Sequence, residues 1–573
     1  MKLRRVAIER FRGIKVLEWN VGGDFVCLIG PGDSTKTTIL DAIEHALSPR
    51  WNVQFDDTDF FDAQTAEPIR ITITVGDLPE ELKSEAKYGY LARGWSSSGE
   101  LHDEPEENDE VVLSIQLRVD PSLEQSWTVV NDRNPEGKSI TARDREALGC
   151  SRLGGFLDRH FSWGWGSILA RLTGETDSLS SILASAGRAA RSALADVEQS
   201  KLPNLYQAAA KATTVGKELG VAVRSCYRPH LDVEAVSVGQ GALSLHDGEV
   251  PVRRAGLGTR RLLAVAMQRE VAKAGGIMMI DEVEHGLEPH RIRRLLRVLR
   301  GTDDPHGRRH VLMTTHSPIV LAELDADQLR VVQSTAGVTQ VLDVAPALQP
   351  IIRKASEAFL ARKVLVCEGK TELGLCRRLD QWWAQGGPSF GYADVALADG
   401  GGTEAPAVAK ALAGLGYEVA LLADSDEPLD PDRAALEVAG AQVFLWDGEV
   451  ALEERIAQDL PWEGVAAIVL MAMDICGEKS VRDAIANKMN IAPAKLAGQP
   501  LDWRGIGFAE SDLRRAIGLA AKKHKADNRT GWFKRVDLAE ELTGVVIKHY
   551  DEILDKDLGR KIAALRAWAH GDG

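Results

Sequence analysis

Apolar and alternating runs along the chain predict strands at Arg4 to Ile8, Lys15 to Asn20 and Phe25 to Ile29, followed by a helix over Thr37 to Leu47. Further strands are expected at Ile69 to Val75, Val111 to Val119 and Trp127 to Val130, with the acidic, Ser- and Gly-containing stretch Ser96 to Glu110 as an exposed loop. From about Phe156 to Glu218 the pattern becomes helical and Ala-rich, as in an insertion. Strand character returns from Val233 to Leu245, a helix is expected from Thr259 to Ala272, and the apolar strand Ile277 to Ile280 ends in Asp281-Glu282. A basic helix leads to the strand Val311 to Thr314, and Thr335 to Pro350 reads as a closing hairpin or linker. Beyond it, short apolar strands at Lys363 to Val366, Val395 to Leu397, Val419 to Leu422 and Val443 to Leu445 alternate with helical stretches. That order predicts a parallel sheet with crossover helices. No short tandem repeat is present.

At 573 residues the chain is too long for one ordinary core, so two or three domains are expected. A composition of 44% hydrophobic and 27% charged residues is that of a globular protein. No run approaches the roughly twenty apolar residues of a membrane span, and Met1-Lys2-Leu3-Arg4-Arg5 leads into a mixed polar stretch, so a cytoplasmic protein is expected. Cysteines 27, 150, 226, 367, 376 and 476 form no CxxC pair, which argues against structural zinc and a disulfide framework. The net charge of −15 argues against indiscriminate coating of nucleic acid. Basic runs at Arg253, Arg254, Arg260 and Arg261 and at Arg291 to Arg300 suit solvated helix faces. The run Lys522, Lys523, Lys525, Arg529, Lys534 and Arg535 suits a DNA track, because it shares its half of the chain with an acidic constellation.

Gly30-Pro-Gly-Asp-Ser-Thr-Lys36-Thr37-Thr38 follows a strand and opens a helix, the setting in which backbone N–H groups and a helix N-terminus cradle phosphates. Lys36 would meet the β and γ phosphates of ATP and Thr37 its Mg²⁺. Thr35 stands where the usual pattern has glycine, and Asp33 adds a negative charge. Downstream, Asp281 is placed for metal coordination and Glu282 for polarising a water. His316 follows the next strand, in reach of a γ-phosphate, and Gly256-Leu-Gly258-Thr259 offers a second anion-binding turn. In the second half, Glu368-Gly-Lys-Thr-Glu372 and Asp424-Ser-Asp426 each end a predicted strand. Strand alternation would point Asp424 and Asp426 the same way, toward Glu368. Four acids at one sheet edge suit two Mg²⁺ or Mn²⁺ ions about 4 Å apart for phosphodiester hydrolysis.

Phe11-Arg-Gly-Ile14, the loop at Lys36, the turn at Gly256 and Gly258, Asp281-Glu282-Val-Glu-His-Gly-Leu-Glu-Pro289 and Thr315-His-Ser-Pro318 resemble the ABC/SMC-type ATPase of the OLD (overcoming lysogenization defect) nucleases. The acids at 368, 372, 424 and 426 resemble that family's Toprim motifs, in the family's order. The resemblance implies an α/β protein: an ABC-type P-loop ATPase over 1–155 and 222–350, a helical dimerisation insertion at 156–221, and a Toprim domain with a helical C-terminal region over 360–573. It also implies a homodimer with ATP sandwiched between subunits, a further metal-ligating glutamate best matched by Glu453, and a transition-state lysine best matched by Lys534. A DNA endonuclease or nickase serving phage defence or repair follows, with a helicase-like partner protein as a possible addition and no membrane. The competing reading is a non-catalytic ATP switch with a decayed nuclease. The seven tyrosines offer no placement suggesting a topoisomerase, and no template-handling module suggests a primase.

Overall fold

The computed structural model describes residues 1–50, 53–154, 157–164, 167–173, 179–195, 201–218, 221–229, 243–272, 276–301, 310–522 and 531–571. Most of the expected strand run Val233 to Leu245, and Lys523, Lys525 and Arg529 of the basic track, lie outside them.

The first half is built on one 14-stranded sheet. At one end Ser151–Leu153, Ile277–Ile280, His310–Thr314, Phe25–Ile29 and Leu329–Thr335 lie side by side and parallel, in that spatial order. The middle three, buried along almost their whole length, are largely apolar runs, as a covered parallel sheet demands. Val338–Asp343 turns back on Leu329–Thr335 as a hairpin and bridges to Ile14–Asn20, where the sheet becomes antiparallel through Lys2–Phe11, Ile69–Gly76 and Glu110–Val119. The result is a mixed α/β sheet, a parallel part with an antiparallel lobe. The expected loop at 96–110 contains the short strand Leu101–His102, paired with Arg93–Trp95. Asn134–Ser139 and Ser151–Leu153 are strands that the pattern did not announce. Helices Ile168–Thr173, Leu179–Ala195 and Pro203–Glu218 occupy the expected insertion.

The second half carries a separate four-stranded parallel sheet ordered Val395–Asp399, Lys363–Cys367, Glu418–Ala423, Ala441–Leu445. Its topology is that of a Toprim domain, followed by helices. The stretch read as a hairpin or linker is a hairpin plus buried helical turns, with Leu348, Ile351, Ile352 and Phe359 all inside. Consequently one hydrophobic core runs without a break from Cys27, Ile29 and Met278 of the ATPase sheet to Val364, Val366, Val419 and Leu421 of the Toprim sheet. Tyr417 pins the joint: its buried hydroxyl donates to the Phe359 carbonyl at 2.8 Å and its ring meets Phe359 edge-on. Among the described residues no helix is long and apolar enough to cross a membrane.

Candidate nucleotide and metal sites

The loop Gly30 to Lys36 leaves the Phe25–Ile29 strand and enters the helix Lys36–Leu47. Gly30, at φ 136°, is required there, since a Cβ would lie 2.6 Å from the Val332 carbonyl oxygen. Lys36 Nζ donates to the Gly30 and Pro31 carbonyls and to Ser34 Oγ at 2.7–3.0 Å. Burial lowers its pKa to about 8. Thr35, at φ 67° and ψ 13°, holds the left-handed conformation that glycine takes at no cost. Its methyl group packs over Gly13, where a Cβ would lie 3.3 Å away, and its hydroxyl meets Thr339 Oγ1 at 3.4 Å. Thr38 is half-buried in the first turn of the helix.

Asp281 gathers the rest. Its Oδ1 accepts from Thr37 Oγ1 at 3.3 Å and Thr314 Oγ1 at 2.6 Å, and its Oδ2 from Arg152 at 2.9 Å. Thr37 and Asp281, each expected separately to face a metal ion, are thus hydrogen-bonded across the sheet. Glu282, at φ 47°, is fixed by its N–H donating to Thr314 Oγ1, while its carboxylate meets His285 Nδ1 at 3.3 Å. His316 is exposed and tied through its backbone N–H to Glu284 Oε1 at 2.7 Å. Gly256 and Gly258 open the helix Leu257–Ala272, and Gly258 packs on the loop after Glu282, where a Cβ would lie 2.7 Å from the Gly286 oxygen.

Two arginines complete this site unannounced. Arg261, read as part of a solvated face, is fully buried and donates to the carbonyls of Gly154 and Glu282 at 2.9 Å. Arg152 links Asp281 with Asp41 and Glu44 of the phosphate-loop helix. Neither belongs to a local motif, so only the tertiary structure reveals them.

In the Toprim half, Glu368 closes the Lys363–Cys367 strand and Asp424 the Glu418–Ala423 strand. Glu368 Oε2 accepts the Asp424 N–H at 2.8 Å, joining the two strand ends. The Gly400-Gly-Gly-Thr403 run curls onto the same edge, with Gly400 and Gly402 N–H donating to the Cys367 and Glu368 carbonyls. Glu372, buried, caps its own helix by accepting the Gly369 N–H at 2.9 Å, which leaves Oε1 without a partner. Glu453, also buried, accepts from Thr371 at 3.3 Å and pairs with Lys534 at 3.2 Å, while its Oε2 has no partner. A glycine delivers Lys534: at Gly374 the helices Lys370–Trp383 and Val536–Lys548 cross so closely that a Cβ would lie 2.4 Å from that of Ala539.

Crowding shows in the acidities. Burial first, then neighbouring carboxylates, raise Glu372 to about 7 and hold Asp424 well above its ordinary value. Burial likewise raises Glu368, with Asp426 and Glu427 adding to it. Lys534, though desolvated, is held well above its ordinary value by Glu453, Glu372 and Asp424.

One expectation fails. Asp424 and Asp426 do not share partners: Asp424 Oδ1 accepts the Leu452 N–H at 2.8 Å, whereas Asp426 Oδ2 meets Lys522 Nζ at 3.1 Å. The backbone turns between them because Ser425 is pinned to Val450 by three hydrogen bonds. The expected ligand cage is also not closed. Among the described residues no three acidic, His or Cys side chains meet as ligands, and two lysine ammonium groups pair with the carboxylates. The donor set nonetheless suits a hard divalent cation, with two buried carboxylate oxygens lacking any partner and several acids resisting ionisation.

Residues 359–426 match the family described as "Overcoming lysogenization defect protein-like, TOPRIM domain", a stretch that takes in Glu368, Glu372, Asp424 and Asp426 and ends short of Glu453 and Lys534. Residues 231–322, with Gly256, Asp281, Glu282 and His316, match "AAA domain, putative AbiEii toxin, Type IV TA system". The chain thus carries an AAA-type ATPase segment followed by an OLD-like Toprim segment, the order of an OLD-type ATPase–Toprim fusion. No curated protein matches it. Two solved structures overlay on 60% of it at 13% identity: a crystal structure of the SmcHead bound to the C-winged helix domain of ScpA (98% of that chain, TM-score 0.32) and the SMC head domain from Thermotoga maritima (100% of that chain, TM-score 0.29). An ATPase segment followed by a Toprim segment supports a nuclease-type, ATP-dependent function.

Proposed function

We propose that the protein is an ATP-binding, metal-dependent DNA endonuclease or nickase. The observation that carries this reading is the convergence of Glu368, Glu372, Asp424 and Glu453 on Lys534 at the carboxyl ends of adjacent parallel strands. Glu368, Glu372, Asp424 and Glu453 would hold one Mg²⁺ or Mn²⁺, and Asp426 would face a second. Such ions supply an activated water and neutralise the leaving oxygen of a phosphodiester. Glu372, whose burial raises its pKa, would give up its proton on taking the ion. The Lys534 ammonium, set at the edge of the acids, stabilises charge growing on the phosphate oxygens.

In the other half, Lys36 exchanges its loop carbonyls for the phosphates of ATP, and Thr37 with Asp281 holds the accompanying Mg²⁺. Glu282 orients a water and His316 donates to the γ-phosphate. The turn at Gly256 to Thr259 acts on the nucleotide of a second copy, making a homodimer, with the 156–221 helices as its contact. A cytoplasmic role in phage defence or DNA repair, with or without a helicase-like partner, follows from the OLD-type assignment.

The test is supercoiled plasmid incubated with Mg²⁺ or Mn²⁺, with and without ATP, beside Glu368→Ala and Lys36→Ala. Wild type should nick or linearise the plasmid, Glu368→Ala should not, and Lys36→Ala should lose the ATP effect. Plasmid left intact by wild type under every condition would remove the nuclease reading and leave an ATP-driven switch.

A further inference from the structure

The acids of the nuclease half fall into two groups, each closed by one lysine. Glu368, Glu372, Asp424 and Glu453 gather on Lys534, as above. Asp426, close enough to Glu368 to raise its pKa, and Glu454 form the second, and Lys522 Nζ bridges them at 3.1 Å and 2.7 Å. In the sequence Lys522 reads only as part of a basic DNA track, and Glu454 is the neighbour of the glutamate expected as a ligand.

The bridge is built into the fold. Helix Glu510–Ala521 packs against helix Leu452–Asp459 through Gly518, where a Cβ would lie 2.7 Å from Glu454 Cα. Lys522 follows one turn later, its N–H still bonded to the Gly518 carbonyl at 3.2 Å, so the glycine contact sets the ammonium over the Glu454 carboxylate. Glu454 is oriented from the other side by the Ala451 N–H at 3.2 Å. Its side chain is 8% exposed and that of Lys522 18%, so the pair is only weakly screened by water. This geometry matches the Lys534 arrangement, in which a helix pair joined at a glycine also delivers one lysine to the acids.

We propose that Lys522 is a positioning residue that holds Asp426 and Glu454 as ligands-in-waiting and competes with the second divalent cation for them. The inference rests on the nuclease reading. An ammonium group and a divalent cation seek the same carboxylate oxygens, and entry of the ion requires the ammonium to leave. Lys522 thereby sets the metal concentration at which the centre becomes complete, and the first ion, held on the Lys534 side, is indifferent to it.

The experiment is a Mn²⁺ titration of the full chain without DNA or nucleotide, following free Mn²⁺ by electron paramagnetic resonance. Wild type should show a tighter and a weaker class of site. Lys522→Met should tighten the weaker class about tenfold, the scale of one partly desolvated charge pair, and leave the tighter class unchanged. Lys522→Arg, which keeps the charge, should hold the weaker class near its wild-type value. A weaker class unchanged or loosened in Lys522→Met overturns the role of Lys522. Should that variant not fold, Glu454→Gln decides: loss of the weaker class alone supports the proposal and retention of both classes refutes it. Wild type that takes up no Mn²⁺ overturns the nuclease reading itself, a different result from a Lys522 variant that fails to shift.

Discussion

The two lysines that matter most in this chain meet opposite surroundings. Lys36, in the nucleotide loop, is bound by neutral backbone carbonyls and a hydroxyl, and burial lowers its pKa to about 8. Lys534, in the nuclease half, is surrounded by carboxylates that raise it instead. The first arrangement readily gives up its lysine to an incoming anion, because the carbonyls keep no charge when it leaves. The second resists any departure, because removing its cation leaves like charges facing each other in a poorly hydrated space. A phosphate loop and a metal centre can thus be told apart by what their lysine would leave behind.

The severest way to break the contrast is to remove the acids or the loop cation outright. Glu368→Ala or Asp424→Ala should lower plasmid cleavage by at least about a hundredfold, since even changes behind metal ligands reach that scale. Lys36→Ala should abolish ATP binding in a fluorescent-nucleotide assay with little change in thermal stability, as its partners are neutral.

Lys534→Met should behave differently. It strands Glu453, Glu372 and Asp424 together, and we expect a loss of about 2–3 kcal/mol in denaturant unfolding at pH 8. The loss should shrink at pH 5, where Glu372 and Asp424 take up protons.

A subtler measurement follows from Glu372, whose carboxyl ionises near 7 in the fold against 4.5 for the ordinary group. Between those values the native state binds the extra proton, so stability falls as pH rises through that window and is flat above it. Glu372→Gln should therefore raise the melting temperature at pH 8, by the equivalent of about 3 kcal/mol, and change it little near pH 4.5. Saturating Mn²⁺ should recover most of that gain in wild type. A wild-type melting temperature that rises between pH 5 and pH 7 would contradict the crowding of these acids.

The smallest expected effect is at Thr35. Thr35→Gly relieves a β-branched residue of a left-handed backbone, worth about 1–2 kcal/mol. It also forfeits the methyl contact on Gly13 and the hydroxyl contact with Thr339. Net stability should change by less than about 1 kcal/mol, while ATP affinity rises a few-fold as the loop backbone is freed to wrap the phosphates. Unfolding curves with nucleotide titration would measure both.

Much of this molecule was legible as linear pattern. Apolar runs ending in acids gave the strands at Ile277, Lys363 and Glu418 and the side chains at their ends, because a strand end and its next residue are fixed locally. Residues acting from a distance left no such trace. Arg152 and Arg261 reach the Asp281 turn from other segments, and an arginine on an amphipathic helix reads as solvated until its partner carbonyls are seen. The divergence of Asp424 and Asp426 was hidden for the same reason, since Val450 sets it by gripping Ser425. Of the hairpin or linker expected over Thr335 to Pro350 the hairpin is present, but the turns after it serve both sheets with their apolar residues, a fact that no local composition reveals.

That shared interior bears on how the cutting activity can be policed. Where two domains meet across a wet, polar seam, a protease that severs the connection frees a working catalyst. Here a cut between the hairpin and Lys363 would strip the cover from Val364, Val366, Val419 and Leu421, beneath the very strands that carry Glu368 and Asp424. The fragment released would be an aggregating sheet, and damage to the chain would silence the nuclease before it could escape its ATPase.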